Sequence, residues 1–275
     1  MKRKRITQVF IYLALLIGAV VFILPYAYML ITSTQTNAEI FAPKLNFKPG
    51  SHFIDNITYV QETYNYTRIL INSIFITVTG TLLSTFMTTL AGYVMAKFKF
   101  KGQKLIFNLI VVARMVPSFT LLIPTFYILS KLGLTNTHTG VIVSSLASTT
   151  SVFMMRQYAQ KFPTELLESG RIDGANEWTI FFRIAVPVLV PSIVTVGLMN
   201  FMGYWNSYLY PLVILKDSTK FTVPLVVQNM TQNNYDVLNY GSLMAILSTS
   251  VIPVIAVYVL LQRKFKANNL DSAIK

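Results

Sequence analysis

Between two apolar runs lies Phe162-Pro163-Thr164-Glu165-Leu166-Leu167-Glu168-Ser169-Gly170-Arg171-Ile172-Asp173-Gly174-Ala175-Asn176-Glu177-Trp178-Thr179-Ile180-Phe181-Phe182-Arg183-Ile184-Ala185-Val186-Pro187. It reads as a short helix, a tight turn and a second helix. Pro163 suits a first helical turn, where its missing N–H is not needed. Thr164, Glu165 and Glu168 place oxygens and negative charge at the helix N-terminus, where the dipole favours them. Gly174 suits a left-handed stop. Trp178, Ile180, Phe181 and Phe182 then form an apolar run towards Pro187. Four acidic residues (Glu165, Glu168, Asp173, Glu177) face three basic ones (Lys161, Arg171, Arg183). Helices that lie on lipid usually carry a basic polar face, so this balance favours a groove on a protein partner.

The flanks of this stretch are apolar, and so is most of the chain. The 275 residues are 53% apolar and 12% charged, against about 25% charged in soluble domains. Six apolar runs cover 9–31, 69–96, 105–129, 139–158, 185–215 and 242–261, each near the length of about 20 residues that crosses a bilayer. The first follows Lys2-Arg3-Lys4-Arg5 and exceeds a signal-peptide core, which is about 7–15 residues. It reads as a retained helix. The expectation is an all-α integral membrane protein of six transmembrane helices, a single domain over 1–275, with the quoted stretch in a loop at 159–184.

Charge orients it. Lys2 to Arg5, then Lys97, Lys99, Lys101 and Lys104, then Arg156, Lys161, Arg171 and Arg183, then Arg263, Lys264, Lys266 and Lys275 make sixteen of the 23 basic residues, in alternate segments. The segments between carry only Lys44, Lys48, Arg68, Lys131, Lys216 and Lys220. Because cytoplasmic loops collect Lys and Arg, both termini and the 159–184 loop are expected in the cytoplasm. The net charge of +13 is then topological, and nucleic acid is not expected as a partner, since a nucleic-acid footprint would concentrate on one soluble face. The outer side receives two long polar loops, 32–68 and 216–241, and a short turn at 131–138. The second long loop contains Asn233-Asn234-Tyr235-Asp236.

Enzymatic chemistry finds no foothold. There are no cysteines and only two histidines, His52 and His138, so no metal constellation is read. No Gly-Lys dipeptide occurs, which excludes a Walker-type phosphate loop, and no Gly-x-Ser-x-Gly elbow is present. Asn-x-Thr triplets at Asn56, Asn65 and Asn229 are weak signals and are read as chance. Seven prolines (Pro25, Pro117, Pro124, Pro187, Pro191, Pro211, Pro253) lie in or at the ends of apolar runs. Pro117 and Pro124 read either as ordinary membrane-helix irregularity or as a helix break beside a pathway. Arg114 lies in the third run, where a charge costs about 2.5–3.5 kcal/mol at the bilayer centre. It either faces the bundle interior, a partner or a cargo hydroxyl, or lies shallow and snorkels. Trp205, Asn206, Tyr208 and Tyr210 combine rings and an amide, which suits the apolar faces and hydroxyl edges of sugars; an interfacial aromatic belt is the other reading.

The segment 168–187 resembles the signature of permease subunits of binding-protein-dependent ATP-binding-cassette importers: Glu-Ala-Ala, three residues, Gly, about nine residues, Ile-x-Leu-Pro. Here it reads Glu168-Ser169-Gly170, Arg171-Ile172-Asp173-Gly174, nine residues, then Ile184-Ala185-Val186-Pro187. Ser169 and Gly170 replace the alanines and Val186 the leucine. Met115-Val116-Pro117-Ser118, Leu122-Ile123-Pro124, Tyr204-Trp205-Asn206-Ser207-Tyr208-Leu209-Tyr210-Pro211-Leu212 and the tail Gln262-Arg263-Lys264-Phe265 are similar to the sugar-importer branch, in particular to the second permease of the maltose transporter. The tail has Asn268-Asn269-Leu270-Asp271 where that branch has glycines.

The resemblance implies a type I importer permease in a bacterial cytoplasmic membrane, moving a sugar or oligosaccharide. Its implied partners are a homologous second permease, two ATP-binding-cassette ATPases and an extracytoplasmic sugar-binding protein. ATP and Mg would be bound by the ATPases, with no cofactor on this chain and no enzyme site. Glu165, Glu168, Ser169, Gly170, Asp173, Gly174, Ala175 and Trp178 become the expected ATPase-coupling residues, and Arg114, Trp205, Asn206 and Tyr208 the expected substrate-pathway residues. The rival readings are the same family with another cargo (amino acid, metal or phosphonate), or a membrane channel or enzyme. A channel has no use for a docking helix, and an enzyme would show acidic or histidine pairs at membrane depth.

Overall fold

The computed structural model describes residues 2–44, 46–232 and 239–272, with only the backbone for 2–6 and 263–272. The outer-loop residues Asn233-Asn234-Tyr235-Asp236, the end Ala273-Ile274-Lys275 and the side chains of Arg263, Lys264 and Phe265 lie outside the described residues. Every regular element among the described residues is helical. The chain runs through α1 (Lys2–Thr32), α2 (Asn37–Ile40), α3 (Phe53–Tyr64) and α4 (Tyr66–Lys97), then α5 (Gln103–Ala113), α6 (Leu122–Lys131), α7 (His138–Ser144) and α8 (Thr149–Lys161). It continues through α9 (Glu165–Ile172), α10 (Glu177–Ile180), α11 (Val186–Trp205), α12 (Leu209–Ile214), α13 (Val223–Gln232) and α14 (Tyr240–Ser272).

Four stretches are long and apolar enough to cross a membrane: Thr7–Thr32, Tyr66–Lys97, Glu177–Trp205 and Tyr240–Gln262. The third apolar run is interrupted. Its halves, Gln103–Ala113 and Ser118–Lys131, meet at 103° and make a fifth crossing if counted as one. The break falls at Pro117, which disfavours helical geometry in the residue before it and takes an extended conformation itself (φ −60°, ψ 134°). Pro124 does not break anything, because it sits in the first turn of α6, where no backbone donor is required.

The run 139–158 is also divided, into α7 and α8. Between and around them lies a hydroxyl-rich segment, Ser144-Ser145-Leu146-Ala147-Ser148-Thr149-Thr150-Ser151. Such side chains compete with the helix for backbone groups. Ser144 Oγ donates to the Val141 carbonyl at 2.8 Å, and Ser148 Oγ accepts from the Ser151 N–H at 3.3 Å to start α8. The fifth run shifts rather than splits at its start: helix begins at Glu177 and runs through one π turn, Phe181–Ala185, into α11. The wide turn precedes Pro187, whose ring would press on the carbonyl four residues back in a regular helix. That helix ends at Trp205, ten residues short of the apolar run. The restart at Leu209 leaves Pro211 in the first turn of α12.

Residues cluster into two compact units. In one, residues 1–67 associate with 226–253. The expected outer loop 32–68 is built here around Asn56 of α3. Its buried amide donates to the Ser33 and Gln35 carbonyls at 2.9 and 3.1 Å and accepts from Ser242 Oγ at 3.3 Å. Thr36 and Glu39 form a reciprocal capping box at the start of α2.

The other unit comprises 68–225 and 254–275. Within it α4 packs closely on α8: a Cβ on Gly92 would lie 2.7 Å from Met155 Cβ and 2.8 Å from the Arg156 nitrogen. Small residues permit such approach where lipid supplies no hydrophobic drive between helices. Tyr93, Met155, Leu167, Ile180 and Phe181 are buried together at one end of these helices. Ile76, Leu129, Val141, Tyr204 and Ile214 form a second cluster.

Candidate functional site

The helix–turn–helix of 162–187 forms as α9, a turn and α10. Helix α9 begins at Glu165, so Pro163 lies before its first turn rather than in it. Thr164 is the N-cap residue, yet its hydroxyl does not cap; it accepts instead from Lys97 Nζ at 3.2 Å. The Thr164 carbonyl accepts from Leu167 and Glu168 at 2.9 and 3.1 Å. Glu165 and Glu168 occupy the first turn, and Ser169 Oγ donates back to the Glu165 carbonyl at 3.0 Å.

The helix stops in a Schellman arrangement. Gly174 adopts φ +79°, its N–H donates to the Arg171 carbonyl at 3.1 Å, and the Ala175 N–H donates to the Gly170 carbonyl at 3.0 Å. Asp173 is the C-cap residue. Asn176 then caps α10, its Oδ1 accepting from the Thr179 N–H at 2.8 Å. Arg171 spans the turn, its Nε and Nη2 donating to the two Glu177 oxygens at 2.8 and 3.2 Å.

The two faces of this element differ. Leu167 and Ile180 are fully buried, and Gly170 lies against Ile184 and Ile180, where a Cβ would meet Ile184 Cδ1 at 2.7 Å. The opposite crest exposes apolar side chains: Ile172 is 86% exposed, Trp178 60%, and Leu166 and Phe182 nearly half. Trp178 stacks on Phe182 with centroids 6.1 Å apart. An apolar crest bordered by Glu165, Glu168 and Glu177 is a surface built to be covered.

A second feature lies where the helices are interrupted. A cavity of about 280 Å³ is lined by Ser145, Ser148, Thr150, Ser151, Met199, Asn200, Gly203 and Tyr204. Asn200 is buried and bridges three helices: its Nδ2 donates to Thr85 Oγ1 of α4 at 3.1 Å, and its Oδ1 accepts from Ser151 Oγ of α8 at 2.5 Å. Tyr204 Oη donates to the Ile142 carbonyl at 2.9 Å. The α7–α8 break contributes Ser145 and Ser148 to the lining of this cavity.

The expected pathway residues are engaged separately. Arg114 is the C-cap residue of α5 at the 103° bend, exposed, with its guanidinium 4.5 Å over the Phe153 ring. It is therefore at a helix end rather than within a continuous span. Trp205 is buried and stacks on Phe201, nearly parallel at 6.1 Å. Asn206 is exposed at the end of α11, and Tyr208 packs against the Ile76–Leu129 cluster. Among the described residues no hydrogen bond or ring contact joins these four into one site.

Comparison with known proteins decides the family. Residues 88–268 match the family described as "Binding-protein-dependent transport system inner membrane component". This chain belongs to that family. It is 33% identical over 270 residues to the lactose transport system permease protein LacG of Rhizobium radiobacter, covering 98% of this chain and 97% of the relative. To the arabinooligosaccharides transport system permease protein AraQ of Halalkalibacterium halodurans it is 32% identical over 263 residues, covering 94% and 92%. A chain in the crystal structure of a bacterial ABC transporter that imports the acidic polysaccharide alginate shares the fold, with a TM-score of 0.83 at 22% identity over 96% of this chain and 98% of that one.

The permease family is the membrane component of an ABC importer, so ATP hydrolysis belongs to partner subunits rather than to this chain. Sequence reasoning missed Asn200, Ser151 and Thr85. The signal was there: Asn200 is a lone amide in Val196-Gly197-Leu198-Met199-Asn200-Phe201, and 144–151 holds six hydroxyl residues. Hydropathy averages over both.

Proposed function

We propose that this permease crosses a bacterial cytoplasmic membrane six times, with both termini inside, and carries a neutral sugar or oligosaccharide. The six crossings are α1, α4, the bent α5–α6 pair, the divided α7–α8 pair, α11 and α14. The distribution of Lys and Arg supports this orientation. It puts α9 and α10 in the cytoplasm, where two ATPase subunits dock on this chain and on a homologous second permease. ATP and Mg bind those subunits. An extracytoplasmic binding protein delivers the sugar from outside.

The observation that carries the docking assignment is the exposed crest of Leu166, Ile172, Trp178 and Phe182 on an element whose other face is sealed by Leu167 and Ile180. Buried aromatic anchors dominate protein interfaces, and Trp178 is placed to be one. Glu165, Glu168, Ser169, Gly170, Asp173, Gly174 and Ala175 set the shape and charge of that element. ATP-driven closure of the ATPases displaces it, and the displacement alternates access to the cavity.

Neutral saccharide is favoured over anionic cargo because the cavity is lined by hydroxyls and an amide and by no charged residue. The lactose and arabinooligosaccharide permease relatives point the same way. Reconstitution with the ATPase and the binding protein tests the reading: ATP-dependent uptake of radiolabelled neutral oligosaccharides is expected, and Glu168→Lys should abolish it. Uptake of an amino acid or a phosphonate with no saccharide uptake would overturn the cargo assignment.

A further inference from the structure

The cytoplasmic end of α4 touches both ends of α9. Lys97, the last residue of α4, donates from Nζ to the Phe162 carbonyl and to Thr164 Oγ1, and its ammonium lies 5.5 Å from the Phe162 ring centroid. Those residues form the entry to α9. At the exit, the Arg171 guanidinium lies 5.9 Å over the ring of Phe98, the next residue after Lys97, while also holding Glu177 across the turn. Phe98 packs edge-on against Tyr93, which packs on Phe181 of the π turn. One turn higher, the Met95 carbonyl accepts from Gln103 Nε2 at 2.9 Å and from Arg156 Nε at 3.2 Å.

Helix α9 is eight residues long, about 12 Å. Contacts at both ends of so short a rod constrain its sliding and its rotation together. We infer that Lys97 and Phe98 are positioning residues of the coupling element, and that α4, more than the α10–α11 junction, carries movement of α9 to the cavity. The inference rests on the docking assignment proposed above.

The two routes differ in stiffness. Helix α4 runs 32 residues with no interior proline. The direct route along the chain passes the Schellman turn, the π turn Phe181–Ala185, Pro187 and Pro191. Each of these departs from the regular i→i−4 hydrogen-bond ladder that α4 keeps. Helix α4 also ends in the right place. Thr85 lies twelve residues from Lys97, about 18 Å along the axis, and holds Asn200 in the cavity wall. Gly92, between them, brings α4 against Met155 and Arg156 of α8. A shift of α9 pulling on Lys97 therefore reaches Asn200 and Ser151 along one rigid helix.

The test compares wild type, Lys97→Met, Phe98→Leu, Lys101→Met and Glu168→Lys in proteoliposomes holding the whole transporter with its ATPase and binding protein. Uptake and ATP hydrolysis are measured in the same vesicles. Lys101→Met removes a charge from the same loop at an exposed position and should behave as wild type. For Lys97→Met we expect the ATPase to co-purify at wild-type stoichiometry and hydrolysis to continue, while sugar moved per ATP falls about two- to thirtyfold, the range of mutations along coupling networks. Phe98→Leu keeps the apolar volume without the ring face and should fall in the same direction, which keeps the test intact if Lys97→Met does not assemble. An unchanged ratio of uptake to hydrolysis removes α4 from the route. Loss of ATPase, hydrolysis and uptake together, in both variants, reduces the two residues to fold supports. If Glu168→Lys keeps its ATPase and its uptake, the docking assignment itself has failed, whatever Lys97→Met does.

Discussion

Asn200 Nδ2 donates to Thr85 Oγ1 across 3.1 Å, tying α11 to α4 in the wall of the cavity. The same amide accepts Ser151 Oγ from α8, so three helices share one side chain. In lipid the alternative to such a bond is an unsatisfied polar group, and interhelical hydrogen bonds act as glue between otherwise apolar surfaces. This bridge stands beside the α7–α8 break, where Ser145, Ser148 and Thr150 line the same cavity. One residue is thus both a tie between helices and part of the cavity lining.

Asn200→Leu should lower stability by about 1–2 kcal/mol, because Thr85 and Ser151 lose a buried partner while membrane hydrogen bonds are individually modest. Asn200→Ser, which keeps a donor and an acceptor, should lose less. Thermal unfolding of the purified complex measures this, and uptake at varied sugar concentration separates the two roles. A raised KM in Asn200→Ser at near-normal stability marks sugar contact; an unchanged KM makes Asn200 a helix tie and nothing more.

Gly170 stands where the family signature has alanine, and the contact it makes limits how much larger a side chain can be. A Cβ there would come within 2.7 Å of Ile184 Cδ1, the free end of a flexible side chain. Gly170→Ala gains up to about 1 kcal/mol of helix propensity and asks only for a small shift of Ile184. We expect it to be near neutral. Gly170→Val adds branches that the contact cannot take, and overpacking of this kind costs about 1–3 kcal/mol. The expected order of melting temperature is Gly170→Ala close to wild type and Gly170→Val clearly below both; the reverse order would mean α9 is not pressed against Ile184.

Much of this fold was readable before any coordinates. Gly174 marked the turn and Glu165 and Glu168 the helix start; four of the six apolar runs fall on helices long and apolar enough to cross a membrane, and a fifth on the bent Gln103–Lys131 pair. The interruptions were harder. Pro117 sits openly at the 103° bend, but Pro124, equally conspicuous, is harmless in a first turn, and nothing local tells them apart. Within 139–158 the apolar average hides hydroxyls that capture backbone groups and divide the helix. Thr36 and Glu39 spelled a capping box inside a segment read as loop, because polarity outweighed the spacing. The Thr164 hydroxyl accepts from Lys97, 67 residues away in sequence, which local reading cannot see. Arg114, Trp205 and Tyr208 each have aromatic or apolar neighbours, whereas the polar cavity is lined by Asn200 and hydroxyl residues, a grouping that hydropathy does not reveal.

The capping box at the start of α2 should fail in acid. The Thr36 backbone N–H, then its hydroxyl, hold the Glu39 carboxylate below its ordinary value of 4.5. A carboxylate with a depressed folded pKa contributes stability above its unfolded value and loses it as pH falls through the folded one. Amides of Asn37–Ile40 should therefore be better protected from hydrogen exchange in wild type than in Glu39→Ala at neutral pH. At about pH 3, with intrinsic rates corrected, that difference should shrink. A difference that persists undiminished in acid would show that the carboxylate charge plays no part in holding the turn.

Gly174 closes α9 with φ +79°, a conformation that costs a residue with a Cβ about 1–2 kcal/mol. The Schellman bonds from Gly174 and Ala175 to Arg171 and Gly170 depend on it, and through them so does the angle between α9 and the exposed Trp178. Space is not the obstacle, since nothing lies within 4 Å of an added Cβ. Gly174→Ala should lower stability by about 1–2 kcal/mol and Gly174→Asn by less, because asparagine enters the left-handed region more readily. ATPase co-purification should follow the same order, wild type above Gly174→Asn above Gly174→Ala. Equal retention of the ATPase by Gly174→Ala, at the expected loss of stability, would mean that docking does not read the geometry of this turn.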